Sequence, residues 1–300
     1  FKDEILSNQK PLNGTLQVNW LHGAPAQNLK TKIEVQIQSI KTKLIPKGFE
    51  IAWEQFYLEK IDTKNYEYEY SLKDTLKLKT IENKTIIENK SVKLILDTET
   101  GEIISWILDG KKITNHPIKP NFWRPPTDND LGNGMDKWAK NWQDASYNYT
   151  SKLIQKPKKT NNGISYKVSY KLPNNEAKVV VDYTINNTGV LFIDYSFQPN
   201  KKDLPNIPRL GMYLTLNNDF KDVSWYGKGP QESYWDRKTG QKTGVYSGEI
   251  KNQFHVYSRP QETGNKTDVR WMQVSSKNIN LKVIGKQLLN ASVWPFAMKE

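Results

Sequence analysis

The sequence predicts an all-β protein built from antiparallel sandwiches, and two observations indicate this fold class. Apolar and polar residues alternate in many short runs, which is the period of a strand with one buried face. Turn signals rich in Gly, Asn and Asp separate these runs along most of the chain. Many short strands joined by tight turns favour a sandwich over alternating strands and helices.

The individual strands follow from these patterns in chain order. Clean alternation predicts strands at 33–38, 164–170 and 280–284. The runs at 178–185 and 190–197 are more densely apolar, which predicts strands covered on both faces. Only residues 134–143, with Trp138 and Trp142 four positions apart, indicate a helical turn or two.

Composition excludes several classes of function. The 300 residues carry a net charge of +12, but the lysines are scattered rather than gathered in a stripe with stacking aromatics, so no nucleic-acid partner is expected. No run approaches the roughly 18 apolar residues of a membrane span, so we expect a soluble protein. The absence of cysteine excludes disulfides and thiolate sites. The three histidines lack metal-ligand spacing, and no metal site is predicted.

Two segments concentrate side chains suited to a ligand: residues 121–132 (NFWRPPTDNDLG) and 225–237 (WYGKGPQESYWDR). Trp and Pro supply stiff apolar walls, while Arg, Asp, Asn and Gln supply directed hydrogen bonds. Sugars need this combination, because their apolar faces stack on indoles and their hydroxyls bond to carboxylates, amides and guanidinium groups. The alternative interpretation is a pair of rigid corners in which arginines pair with carboxylates beneath tryptophans.

The carboxylates in these segments have structural interpretations that we favour over chemistry. Glu232 and Asp236 could flank a glycosidic bond, but pairing of either one with Arg237 is the simpler expectation. Residues 128–132 resemble half of a calcium loop, yet the remaining ligands are missing. We therefore predict a turn in which Asx side chains cap their own backbone, and no catalytic residue.

Three segments together carry a resemblance to a known family. Residues 121–132, 225–246 (WYGKGPQESYWDRKTGQKTGVY) and 257–274 (YSRPQETGNKTDVRWMQV) resemble the C-terminal domain of glycoside hydrolase family 2 β-galactosidases, in the family's order. Residues 48–56 (GFEIAWEQF) resemble the end of the immunoglobulin-like domain that precedes it. The resemblance covers nearly the whole chain.

The resemblance implies two domains. Residues 1–78 would be a partial immunoglobulin-like β-sandwich, and 79–300 a large antiparallel supersandwich resembling galactose mutarotase, lacking its last strands. The polar stretch 73–90 fits a linker or an edge strand between them. The family's two catalytic glutamates lie on a (β/α)8 barrel, which we expect to precede Phe1, so we interpret the sequence as a fragment.

The implied function is that of the non-catalytic C-terminal portion of a retaining β-galactosidase acting on terminal β-D-galactosides. This portion would buttress the barrel of the same chain, shape the rim of the galactoside pocket and support homo-oligomer contacts, and would be inactive alone. Residues 132–140 would form a mobile loop beside the active-site mouth. No cofactor is expected here, although the parent's barrel could hold a divalent metal, and the compartment is left open between cytoplasm and periplasm.

The candidate carbohydrate-binding rim follows from the residue types of the two segments and from the resemblance. Its members are Asn121, Trp123, Arg124, Asp128, Asn129, Asp130, Gly132, Trp225 and Trp235. Two other functions remain open. A free-standing carbohydrate-binding module would need an exposed coplanar platform formed from Trp225, Tyr226, Tyr234 and Trp235, whereas a purely structural or interaction domain would bury these rings.

Overall fold

A computed structural model describes residues 32–38, 41–57, 75–114, 116–161 and 163–298. The chain divides into two compact units, Phe1–Asp62 and Thr63–Glu300. In the described part of the first unit, strands β1 (Lys32–Gln38) and β2 (Glu50–Tyr57) form an antiparallel hairpin. The immunoglobulin-like prediction for 1–78 and the boundary at 78/79 stay predictions.

The described part of the second unit is all-β, as predicted, with three short helices. Its strands are β3 (Lys77–Ile81), β4 (Lys84–Glu88), β5 (Val92–Asp97), β6 (Ile103–Leu108), β7 (Lys111–Thr114), β8 (Lys119–Asn121), β9 (Thr150–Thr160), β10 (Gly163–Lys171), β11 (Ala177–Ile185), β12 (Leu191–Pro199), β13 (Gly211–Tyr213), β14 (Asp222–Gly229), β15 (Lys242–Glu249), β16 (Lys266–Ser275) and β17 (Asn280–Ala291). The helices are α1 (Asp128–Gly132), α2 (Met135–Trp138) and α3 (Lys140–Tyr147), and two 3-10 turns lie at Pro173–Asn175 and Ile250–Asn252.

These strands form antiparallel sheets that share one hydrophobic core. The strand orders are β3-β4-β5-β6-β7, β12-β11-β10-β9, β15-β14-β16-β17 and the pair β13-β8. The polar stretch 73–90 contains β3, which is an edge strand of its sheet, and β4 beside it. The supersandwich assignment is finer than these sheets show and stays a prediction.

Alternation in β10 shows how the sequence pattern becomes a buried face. Ile164, Tyr166, Val168 and Tyr170 are each at most 1% exposed, while the residues between them point outward. Tyr166 stacks on Tyr183 of the neighbouring strand, with ring centroids 5.0 Å apart. The predicted strands at 33–38, 164–170 and 280–284 are all confirmed.

The prediction that β11 and β12 are covered on both faces was wrong. In β11 buried positions alternate with more exposed ones, so only one face meets the core. In β12 most positions are exposed, and Phe192 and Ile193 keep 39% and 37% of their surface in solvent. Both strands pack one face towards the core, in β12 through Leu191, Tyr195 and Phe197, and leave the other face more exposed.

The helical region extends from α1 to α3, further than the turn or two predicted at 134–143. Helix α3 packs against the residues at which the candidate site begins. Trp142 of α3 is fully buried and packs against Phe122 and Phe197, with ring centroids 6.0 Å away in both cases. Its indole Nε1 donates to the Pro205 carbonyl at 2.9 Å. Residues 121–132, 225–246 and 257–274 are called the first, second and third motifs below. Since Phe122 follows β8 directly, this aromatic cluster fixes the point from which the first motif leaves the core.

The longest helix in the described ranges, α3, has eight residues. A helix must contain about 20 apolar residues to cross a bilayer, so no described helix can span a membrane.

Candidate functional site

The first motif leaves the core through buried residues and then turns at an ion pair. Asn121 and Trp123 are 3% and 4% exposed, and the Asn121 side chain accepts the Trp123 backbone N–H at 3.3 Å. The Phe122 backbone N–H donates to the buried Ser146 hydroxyl at 2.9 Å. The backbone here is held on both sides, so Arg124 emerges at a defined position.

Arg124 and Asp130 form a bidentate ion pair within the first motif. Nη1 and Nη2 of Arg124 lie 2.5 and 3.0 Å from the two carboxylate oxygens of Asp130. The side chains are only 24% and 13% exposed. Burial by itself would raise the pKa of Asp130, but hydrogen bonds from Arg124 and Thr127 outweigh it and hold that pKa below its usual value.

Thr127 makes this segment helical rather than a simple Asx turn, which corrects the prediction for 128–132. The backbone N–H and hydroxyl of Thr127 both donate to Asp130 at 2.8 Å. The Asp130 backbone N–H donates back to the Thr127 hydroxyl at 3.3 Å. This reciprocal arrangement is a capping box, with Asp in the place usually taken by Glu, and it starts α1.

The second motif centres on Glu232, which is surrounded by donors. It accepts from Arg237 at 2.7 Å, from the Gly264 backbone N–H at 2.7 Å, from the Thr263 hydroxyl at 3.3 Å and from the Tyr257 hydroxyl. Burial would raise the pKa of Glu232, but these hydrogen bonds lower it overall. The predicted pairing with Arg237 is confirmed.

The third motif supplies Glu262, whose side chain is completely buried. One carboxylate oxygen lies 2.5 Å from Nη2 of Arg209, and the other, also buried, has no hydrogen-bond partner among the residues that the structure describes. Burial raises the pKa of Glu262, and the Arg209 charge offsets only part of that rise. A carboxylate in this position is costly to ionise.

These three motifs meet at one corner of the second unit. The Gln261 side-chain amide donates to Asp128 at 3.3 Å, and Arg259 lies 3.7 Å from the same carboxylate. Gly264 of the third motif holds Glu232 of the second. The Arg124 charge, like that of Arg209, offsets part of the rise that burial causes in the pKa of Glu262. The corner is therefore a network in which cations and backbone donors tie carboxylates of three distant segments together.

Sequence reasoning missed Arg209 and Glu262 as members of this corner. Glu262 stands within the third motif but carried no assigned role, and Arg209 lies outside all three motifs. The Arg209 backbone N–H donates to the Phe122 carbonyl at 3.3 Å, which places it beside the first motif. The sequence offered one signal for Arg209: a single charged residue that follows the apolar residues Ile207 and Pro208 could have been predicted to lie against a buried partner.

The candidate tryptophans lie in different environments. Trp225 is 1% exposed, its Nε1 donates to the Lys228 carbonyl at 2.9 Å, and the Lys266 ammonium lies 4.7 Å from its ring centroid. Trp235 is 72% exposed, with the Lys238 ammonium 4.2 Å from its ring centroid. Trp225 and Tyr226 are consecutive in β14 and therefore point to opposite faces, so they do not form one coplanar platform.

The remaining rim candidates lie on or beside α1. Asp128, Asn129 and Gly132 are exposed. In the following segment Gly134 adopts a positive φ of 76°, and Trp138 keeps 41% of its surface in solvent. The structure thus brings Arg124, Asp128 and Asp130 together with the third motif, but buries Asn121, Trp123 and Trp225.

Within the described ranges, no group of three or more His, Cys, Asp or Glu side chains could hold a metal ion.

Replacing Gly264 by alanine tests how tightly the second and third motifs are joined. Gly264 has a φ of +73°, and an added Cβ would lie 2.4 Å from the Gln253 carbonyl oxygen. We expect Gly264→Ala to lower the free energy of unfolding by about 2 kcal/mol, measured by urea denaturation. Gly240→Ala is the matched control, since no atom of the described residues lies within 4 Å of its added Cβ. Equal stabilities for both variants would contradict this account of the corner.

The fold and the corner define an all-β domain in which ion pairs join polar loops beside a sandwich core. The chain belongs to the β-galactosidase small-chain family, whose model, described as "Beta galactosidase small chain", matches residues 88–300. The resemblance found in the sequence is thereby confirmed.

Several proteins named β-galactosidase are similar to this chain. One from Priestia megaterium (strain DSM 319 / IMG 1521) is 36% identical over 231 residues, covering 76% of this chain and 22% of that protein. One from Pseudoalteromonas haloplanktis is 30% identical over 220 residues, covering 69% and 20%. One from Kluyveromyces lactis is 28% identical over 320 residues, covering 99% of this chain and 29% of that protein. The chain thus spans between a fifth and a third of the length of these relatives.

Proposed function

We propose that this chain is the non-catalytic C-terminal portion of a β-galactosidase that hydrolyses terminal β-D-galactosides with retention. The glutamate nucleophile and the glutamate acid/base would lie on a barrel outside these 300 residues. The described part of this chain would support that barrel and contribute Asn121, Trp123, Arg124, Asp128, Asn129, Asp130, Gly132, Trp225 and Trp235 to the rim of the sugar pocket or to its underpinning.

One observation carries the proposal: the three more buried carboxylates at the corner, those of Asp130, Glu232 and Glu262, are each bound to an arginine. Retaining hydrolysis needs two carboxyl groups about 5 Å apart that are free to attack and to transfer a proton. Asp130 is held by Arg124, Glu232 accepts from four donors, and Glu262 is buried against Arg209. Groups with these partners stabilise the loops but are poorly placed to exchange protons with a substrate.

The rim members divide into two roles within this proposal. Asp128 and Asn129 are exposed at the start of α1 and can accept hydrogen bonds from sugar hydroxyls. Asn121 and Trp123 are buried, so they act by holding the backbone that presents Arg124 and α1. The proposed partners are the catalytic barrel, a galactoside bound between barrel and rim, and further copies of the parent enzyme.

The first test is activity of the chain by itself. We expect no hydrolysis of o-nitrophenyl β-D-galactoside above the buffer rate, because oxocarbenium-like chemistry needs two positioned carboxyl groups that the corner does not offer. Turnover that disappears in Glu232→Gln or Glu262→Gln would contradict the proposal, since it would show that a corner carboxylate is catalytic.

The second test is complementation. The Priestia megaterium relative would be made without the segment that this chain matches, and this chain would be supplied separately in increasing amounts. We expect the truncated enzyme to be inactive by itself and to gain galactosidase activity as this chain is added. Ile154→Ala should restore activity like the unaltered chain, because Ile154 is 51% exposed on β9, in a sheet that carries no rim candidate. Binding of the two pieces without any activity would contradict the supporting role.

A further inference from the structure

The outward face of the sheet β15-β14-β16-β17 has an ordered pattern of side chains. Strand register places twelve residues on this face, in three rows that cross all four strands. The first row is apolar and aromatic: Val245, Tyr226, Trp271 and Ile284. The neighbouring rows are polar: Ser247, Ser224, Gln273 and Lys282, then Glu249, Asp222, Ser275 and Asn280.

The burial of individual residues shows that this face of the sheet points to solvent and the opposite face to the core. Trp225, Val223 and Val274 belong to the opposite face and lie in the core, at most 8% exposed. On the face described here, Val245 is 65% exposed, and Tyr226 and Trp271 are half-buried. The aromatic row is thus accessible and rests on strands that are fixed by the core beneath them.

A shallow depression of about 400 Å³ lies in this face. It is lined by hydroxyls and carboxylates together with two backbone positions: Asp222, Val223, Ser224, Ser247, Gly248, Glu249 and Ser275. One end of the depression adjoins Tyr226, which is two residues from Ser224 on the same side of β14. Hydrogen-bonding groups and an aromatic row therefore lie side by side on a rigid surface.

We propose that this face binds a neutral oligosaccharide, at a site separate from the candidate rim. Apolar sugar faces would pack on Trp271 and Tyr226, and sugar hydroxyls would donate to the Asp222 carboxylate and exchange hydrogen bonds with the serines. The aromatic row crosses four strands, roughly 14 Å at the usual strand spacing, which suits a chain of sugars better than a single ring.

The charges of the face select among ligands. Asp222 borders the depression and would repel uronic acids, sulfated sugars and other anions, whereas the Glu249 carboxylate is already paired with the Lys251 ammonium at 3.0 Å and accepts from Asn252 at 3.0 Å. The exposed Lys282 ammonium lies over the Trp271 ring, 4.2 Å from its centroid, so a sugar that packs on that face of the indole would displace this long side chain, which could then donate to a sugar hydroxyl. Eight of the twelve positions are polar, unlike the apolar centre of a typical interface between protein copies.

The test uses this chain with a neutral and an acidic probe of equal length. Tryptophan indole N–H signals would be followed by NMR during titration with β-1,4-galactotetraose, cellotetraose and tetragalacturonic acid. We expect at least one neutral tetrasaccharide to shift the Trp271 signal with a saturable, millimolar curve. Tetragalacturonic acid should leave the signal unchanged. Trp225 and Trp142, in the core, serve as internal references.

Two variants and one control locate the binding. We expect Trp271→Ala to weaken binding about tenfold, the ratio that loss of one aromatic contact of this size produces. Asp222→Asn keeps the shape, removes a carboxylate acceptor and should weaken binding severalfold while leaving the fold intact. Ile154→Ala, on β9 of another sheet and 51% exposed in the unaltered chain, should bind normally.

Three results would overturn the proposal. Absence of any shift at Trp271 with both neutral tetrasaccharides would show that the face does not take sugars. Stronger binding of tetragalacturonic acid would show that the charge argument is wrong. Concentration-dependent self-association that Trp271→Ala abolishes, seen by sedimentation, would assign the face to a second copy of the chain. None of these results depends on galactosidase activity, so the proposed function is judged separately.

Discussion

Arg124→Ala is expected to lower the melting temperature of this chain by roughly 6–12 °C. The substitution leaves Asp130, only 13% exposed, without the guanidinium that binds both of its oxygens. Breaking one side of a buried pair costs about 3–5 kcal/mol, and the Thr127 donors that remain place this case at the lower end. For a domain of this size 1 kcal/mol shifts the midpoint by about 2–4 °C. Thermal unfolding followed by near-ultraviolet circular dichroism measures the change.

Arg259→Ala is the matched control for this prediction. Arg259 lies 3.7 Å from Asp128, but both side chains are more than 60% exposed, and such pairs contribute little to stability. We expect its midpoint to stay within about 2 °C of the unaltered chain, which is the scatter of surface substitutions. If Arg124→Ala melted as late as Arg259→Ala, the pair with Asp130 would not hold the corner together, and Arg124 would be free for a ligand.

Arg209→Ala should destabilise the chain by about 3–5 kcal/mol at pH 8, because it leaves the buried Glu262 carboxylate without its cation. The loss should shrink as the pH falls. Removal of Arg209 raises the folded-state pKa of Glu262 further above its unfolded value. Stability from such a group is present below the unfolded pKa and is lost as pH rises through the folded pKa. Urea unfolding at pH 5 and pH 8 measures this difference.

Glu262→Gln separates charge from shape in the same experiment. The amide keeps the size of the side chain but cannot ionise, so adding it to Arg209→Ala should recover much of the stability lost at pH 8. It should also remove most of the difference between pH 5 and pH 8. A double variant as unstable at pH 8 as Arg209→Ala would show that packing of the Arg209 side chain, rather than its charge, is what matters.

Local patterns in the sequence predicted local structure well. Alternation predicted β10, and the closeness of Arg124 to carboxylates within one motif predicted an ion pair that the structure assigns to Asp130. The Glu232–Arg237 pair, five residues apart, followed from the same reasoning. In each case the partners lie close enough in sequence for spacing and residue type to bring them together.

Features that depend on how distant strands assemble were not predictable. Alternation shows that one face of β14 is buried but not which one, so Trp225 was placed at the rim although it lies in the core. The density of apolar residues in β12 suggested a strand covered on both faces, whereas most of its positions are exposed. Arg209 and Glu262 are 53 residues apart, and only the meeting of separate loops joins them.

The corner also constrains the order of events during folding. Its hydrogen bonds join segments remote along the chain, such as Gln261 and Asp128, which are 133 residues apart. Closing loops of that length costs entropy, so these contacts form late, after the sheets have brought the segments near one another. Contacts that are absent from the transition state chiefly slow unfolding and hardly affect the folding rate. We therefore expect the long-range contacts at the corner, Arg209–Glu262 and Gln261–Asp128, to form late and to lengthen the lifetime of the folded chain.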